Sequence, residues 1–187
     1  MHSYVTFKNI KIGNHFKLLF LILASIPVYA EQLNDQNVTI NSGDTQSHTS
    51  STILLDSGGP YTINNAGNIV STAGGTITIK VQTAVTNSGL IDANTSTSSS
   101  VYTVFFQSAS GISSLNNSGT ILSDHSGKYA SGVHVESSSL SSIINTATGT
   151  IEAKSSINIS NGIRIHSSAG GYVADITNAG TISASSS

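Results

Sequence analysis

The sequence predicts an all-β protein, a right-handed parallel β-helix of about five rungs. Three observations carry this expectation. A seven- to nine-residue block recurs five times along the chain, at spacings that mark solenoids and arrays. A second block recurs between its copies. Apolar and polar residues alternate with period two, in β-branched stretches, and nothing after residue 30 sustains a helical period,.

Residues 1–30 read as a signal peptide. Lys8, Lys11 and Lys17 form a basic start without an acid, and 18–26 (LLFLILASI) are apolar. Pro27-Val28-Tyr29-Ala30 then places small residues at −3 and −1 of a cleavage site after Ala30, the order that a secretory signal requires. A membrane anchor is the competing reading, but the apolar run is shorter than the ~20 residues that a spanning helix needs.

Residues 31–60 are expected to hold an N-terminal cap and the first strands, with Val38-Thr39-Ile40 as a strand running into a turn at Gly43. A solenoid end exposes unpaired backbone and tends to need such a cover.

Residues 61–187 carry the repeats. The first block is Ile63-Asn64-Asn65-Ala66-Gly67-Asn68-Ile69. It returns as Val85-Thr86-Asn87-Ser88-Gly89-Leu90-Ile91, as Leu115-Asn116-Asn117-Ser118-Gly119-Thr120-Ile121 and as Ile176-Thr177-Asn178-Ala179-Gly180-Thr181-Ile182. A longer variant, Ile143 to Ile151, has Ala147 where the others have Asn, and Asn145 two residues earlier. That variant predicts a corner two residues longer and a gap in any ladder of stacked asparagines. The block glycines are 22, 30, 30 and 31 residues apart.

The second block, Gly132-Val133-His134-Val135-Glu136, returns 30 residues later as Gly162-Ile163-Arg164-Ile165-His166. Residues 101–106 (VYTVFF) hold the same place one repeat earlier, in looser register.

One such strand cannot bury its apolar side alone. Stacking lets it pair with its counterpart one repeat on, at ~4.8 Å per rung. Inward Val, Ile and Leu then form columns, while Ser, Thr and Asn face water. The block Gly fits a corner that needs an unusual φ. The Asn before it can bond its own turn or stack on the next Asn. Repeat phase predicts two rung pairs, His134 beside Arg164 and Glu136 beside His166, all pointing outward. The last repeat runs into Ser183 to Ser187 without a cap, which leads to the expectation of a solenoid truncated at its C-terminus.

Composition narrows the function classes. Serine and threonine make up 55 of the 187 residues, which would suit disorder, but apolar residues at fixed phase have no place in a disordered tract. There is no cysteine, so neither disulfides nor thiol chemistry hold the fold. After residue 30 the only bases are Lys80, Lys128, Lys154 and Arg164, against nine acids. No nucleic-acid partner is expected from so acidic a balance.

The Ile-Thr-Asn-Ala-Gly-Thr-Ile and Leu-Asn-Asn-Ser-Gly-Thr-Ile blocks resemble the passenger repeats of Gram-negative autotransporters, the type V secretion family, over residues 38–187. The resemblance implies Sec export, passage through an outer-membrane barrel, and folding at the cell surface or outside the cell. It also implies a longer parent that carries the barrel, because no run of alternating, aromatic-girdled strands of that kind stands in this chain. The expected work is adhesion or self-association, with host or neighbouring-cell glycans or proteins, or a second copy, as partner.

Candidate chemistry is sparse, and no catalytic residue, cofactor or metal is expected. Asp124 and Glu152, near the same phase on successive rungs, are the best carboxylate pair for a polysaccharide-active enzyme; two solvated corner residues are the plainer reading. His48, His125, His134 and His166 lack metal-ligand spacing. No Gly-x-Ser-x-Gly elbow occurs,, and Gly74-Gly75 reads as a turn rather than a phosphate loop. Tyr102, Phe105 and Phe106 are read as core, with an exposed ligand contact as the alternative. A non-functional gene remnant remains a further reading.

Overall fold

A computed structural model describes residues 32–95, 100–126, 129–156, 158–167 and 170–186. The segment read as a signal peptide lies outside these residues. The described chain consists of strands joined by turns and short irregular corners, coiled as a parallel β-helix with three strands to a turn.

Strands β1 (Leu33–Asn34), β4 (Ile53–Leu55), β7 (Ile77–Val81), β10 (Val101–Ser110), β13 (Tyr129–Glu136) and β16 (Ile159–His166) stack in that order into a first sheet. A second sheet holds β2 (Val38–Ile40), β5 (Tyr61–Asn65), β8 (Thr83–Asn87), β11 (Ile112–Asn117) and β14 (Ser139–Asn145). The short strands β17 (Tyr172–Val173) and β18 (Ile176–Asn178) both pair with β14. The third sheet holds β3 (Thr45–His48), β6 (Asn68–Ser71), β9 (Leu90–Thr95), β12 (Thr120–His125), β15 (Thr150–Ser155) and β19 (Thr181–Ser186). Five turns carry the repeat block. A short turn, β1–β3, precedes them in the same stacking.

The register is the one that the repeats predict. Val38, Ile63, Val85, Leu115, Ile143 and Ile176 follow one another down the second sheet. Ile69, Ile91, Ile121, Ile151 and Ile182 do so in the third. In the first sheet Leu55, Ile79, Phe106, Val135 and Ile165 form a column. Within the stack these side chains are buried, so each turn closes the apolar surface of its neighbours. Ile165 and Ile176, on the last described turn, are partly exposed, because their strands are paired on one side only.

The corner asparagines form an unbroken ladder inside the coil. Asn65 Nδ2 donates to Asn87 Oδ1, Asn87 to Asn117, Asn117 to Asn145 and Asn145 to Asn178, each at 2.8 Å. Each of these amides also donates to a backbone carbonyl of the next rung: Leu90, Thr120, Thr150 and Thr181 respectively. Asn87 Nδ2 reaches the carbonyl of its own corner glycine, Gly89, as well.

The predicted gap at the fourth block is therefore corrected. Asn145 keeps its place in the ladder, and its amide reaches the Gly149 carbonyl as Asn87 reaches that of Gly89. The two extra residues are taken up in a turn closed by Gly149 N–H on the Thr146 carbonyl. The longer corner holds and the gap does not, because the extra length is accommodated on the exposed outside of the coil at Ala147 and Thr148, where the Thr148 hydroxyl donates to the Ser118 carbonyl of the preceding rung.

The role of the block glycines is also corrected. None of Gly67, Gly89, Gly119, Gly149 and Gly180 has a left-handed φ. A Cβ on Gly89 would overlap the Gly67 carbonyl oxygen, and one on Gly119 that of Gly89. Close approach of successive corners demands glycine here, not backbone twist.

Candidate functional site

With the interior given over to packing, chemistry has to be sought on the outer faces. The densest group of functional side chains lies on the first sheet, on β10, β13 and β16. Val133 and Val135 point into the core, so alternation puts His134 and Glu136 on the outside. The two predicted rung pairs are present: His134 is opposite Arg164, and Glu136 opposite His166. One rung back, Phe105 is opposite His134 and Gln107 opposite Glu136.

His134 lies on the outward face as expected, yet it is covered there and only 1% exposed. The Tyr102 ring lies 4.1 Å from its imidazole and the Phe105 ring 5.1 Å, centroid to centroid. His166 closes another side at 6.2 Å. Tyr102 and Phe105 meet edge to face at 4.9 Å, a favoured geometry for aromatic pairs. The aromatic stretch thus divides between its two readings: Phe106 is core, while Tyr102 and Phe105 form a half-buried outer patch.

Neither ring nitrogen of His134 has a hydrogen-bond partner, and Nε2 lies 3.7 Å from Glu136 Oε2. Burial, with the charges of Arg164 and His166 adding to it, lowers the imidazole pKa to about 4. Ordinary neutral pH therefore leaves this ring uncharged, with a lone pair free. The Arg164 guanidinium lies over the Tyr129 ring at 5.9 Å, within cation–π range.

The carboxylates singled out on the third sheet do not meet in one column. Asp124 is opposite Lys154 and Asn94, whereas Glu152 is opposite Leu122. Glu152 instead pairs with Lys154 on its own strand, at 3.3 Å. The two acids share the outer face but are two residues out of register, and Lys154 stands between them, opposite Asp124 and ion-paired with Glu152. The acid that Asp124 does influence is Asp92, whose carboxyl is pushed up by burial and then by the Asp124 charge.

The four histidines separate. His125 is buried on β12 with Nδ1 3.1 Å from Thr95 Oγ1. His48 engages Ser50 at the end of β3. Only His134 and His166 come together. Gly74-Gly75 sits in the bend between β6 and β7, as a turn should.

A search for sequence-local spacing misses the His134–Glu136–His166 group, because its members lie two and thirty residues apart. The signal is present once the 30-residue period is folded onto itself: a two-residue step keeps one face of a strand, and a thirty-residue step moves one rung.

No family model, no curated protein and no solved structure matches this chain.

Proposed function

We propose that this chain is an extracellular β-solenoid of the autotransporter-passenger type. In this reading it is exported through the Sec pathway and stands at the cell surface or outside the cell. It works by binding, in adhesion or self-association, rather than by catalysis. The observation that carries the reading is the stack of three parallel sheets, of which the second and third are faced mainly by Ser, Thr and Asn. Such a stack presents the same kind of strand surface over many rungs, an extended contact face. The half-exposed Tyr102–Phe105 pair supplies amphipathic rings of the kind that concentrate binding energy in an otherwise polar interface. The basic, apolar and small-residue order of residues 1–30 supports export,, and the lack of cysteine suits passage of an unfolded chain.

The test is location. Antibody against the repeat region is applied to fractionated source cells, with and without protease added to intact cells. The expected result is a band in the outer membrane or the medium, with any cell-bound band lost on protease treatment. A band confined to the cytoplasm and resistant to protease overturns the reading.

A further inference from the structure

We propose that His134, Glu136 and His166 form a binding site for a divalent transition metal of the zinc class on the outer face of the first sheet. The potential ligand atoms of the three residues all lie within 4.8 Å of one another. Bonds of ~2.05 Å at tetrahedral angles place ligand atoms about 3.3 Å apart. Closing the group thus takes a movement of roughly 1.5 Å, which rotation of the partly exposed Glu136 and His166 side chains supplies,.

A second observation points to a ligand independently of that clustering. His134 is 1% exposed, yet neither of its ring nitrogens has a hydrogen-bond partner. Buried polar groups are nearly always satisfied, and leaving one unmade costs on the order of 1–3 kcal/mol. A metal ion held jointly with Glu136 and His166 would satisfy one of these nitrogens. The surroundings suit the purpose. Tyr102 and Phe105 hold the imidazole plane in place, and strand backbone on adjacent rungs fixes the separation of β13 from β16. A site carried on regular strands keeps its geometry better than one on loops.

Ligand type selects the metal. Two imidazoles with one carboxylate favour zinc and its neighbours in the first transition row, and disfavour calcium and magnesium, which take all-oxygen sets. Three protein ligands leave one tetrahedral position for water. Arg164, opposite His134, opposes a cation here. Its guanidinium is engaged on the Tyr129 ring, and the Glu136 carboxylate offsets its charge. The inference goes beyond the proposed surface role and does not depend on the export route.

The test is equilibrium dialysis of the purified chain against Zn2+ alone, with Co2+ absorption as a second readout of four-coordinate geometry. The expected result is one Zn2+ per chain, weakened at least about tenfold by His166→Ala and by Glu136→Gln. Both substitutions fall on the outer face, so the fold is retained, and circular dichroism checks this. His48→Ala should leave binding unchanged. Absence of Zn2+ binding overturns the proposal. Binding that survives both His166→Ala and Glu136→Gln, or that is lost with His48→Ala, also overturns it.

Discussion

The amide of Asn117 accounts for much of what a single residue does in this molecule. Its Nδ2 donates to Asn145 Oδ1 and its Oδ1 accepts from Asn87, with no solvent access on either side. Replacing it with leucine keeps the branched shape at a larger volume, strands an acceptor on Asn145 and removes one of the three acceptors of the Asn87 amide. Each buried group left unmatched costs about 1–3 kcal/mol. Asn117→Leu is therefore expected to lower unfolding stability by about 2 kcal/mol or more, read from the urea midpoint. A neutral or stabilising result would mean that the ladder contributes little net free energy.

Gly89 makes the complementary case. Its φ is not left-handed, so backbone preference alone would let alanine stabilise the fold by reducing the freedom of the unfolded chain. The overlap of a Cβ with the Gly67 carbonyl reverses that sign, because backbone of the neighbouring rung has to move. Gly89→Ala should destabilise by roughly 1–3 kcal/mol, as overpacking does. Alanine at Gly43, where no atom lies within 4 Å of a Cβ but φ is +89°, should destabilise through strain instead. Thermal melts of the two variants check both signs.

At the scale of elements, β13 shows how alternation sets two environments along one strand. Val133 and Val135 enter the core, while His134 and Glu136 join an outer cluster with Tyr102, Phe105, Arg164 and His166. That cluster gives the metal-free protein a pH dependence with a definite sign. The folded His134 titrates at about 4 against 6.5 for the free group, so between these values the unfolded chain binds a proton that the folded one refuses. The stability associated with the neutral ring is complete above pH 6.5. It falls as pH drops toward 4, by on the order of 3 kcal/mol in total. The titratable and charged side chains around the ring are Glu136, Arg164, His166 and Tyr102. Urea midpoints in EDTA, measured from pH 7 to pH 4, should therefore slope more steeply for the native chain than for His134→Leu. Equal slopes would show that this histidine does not carry the dependence.

For the whole molecule, stability is expected to vary along the stack. A solenoid turn is supported by its two neighbours, and most hydrogen bonds join one turn to the next. Central strands such as β8 and β11 are paired on both sides and fully packed, whereas β17, β18 and β19 are paired on one side and largely exposed. Amide exchange should be slowest in β8 and β11 and fastest in β17–β19. Uniform protection from end to end would mean that the chain unfolds as a single cooperative unit.

Much of this architecture was legible in the residues. A repeat of fixed length, with apolar residues at fixed phase, can bury them only by stacking like on like, so coil, columns and rung partners followed, including His134 with Arg164 and Glu136 with His166. Three matters needed the folded chain. The two extra residues before Gly149 sit where the corner bulges outward, so Asn145 stays in line, a choice made by space outside the coil. Glycine at the corners is required by the carbonyl of the rung below, an atom that has no address in the local sequence. His134 stands on an outward face yet is covered, because Tyr102 and Phe105 arrive from the preceding turn. Periodicity determined which residues share a rung, since backbone pairing carries each strand onto its counterpart one repeat away. Only three-dimensional packing decided which side chains then touch, since contact depends on the shapes brought together and not on their spacing along the chain.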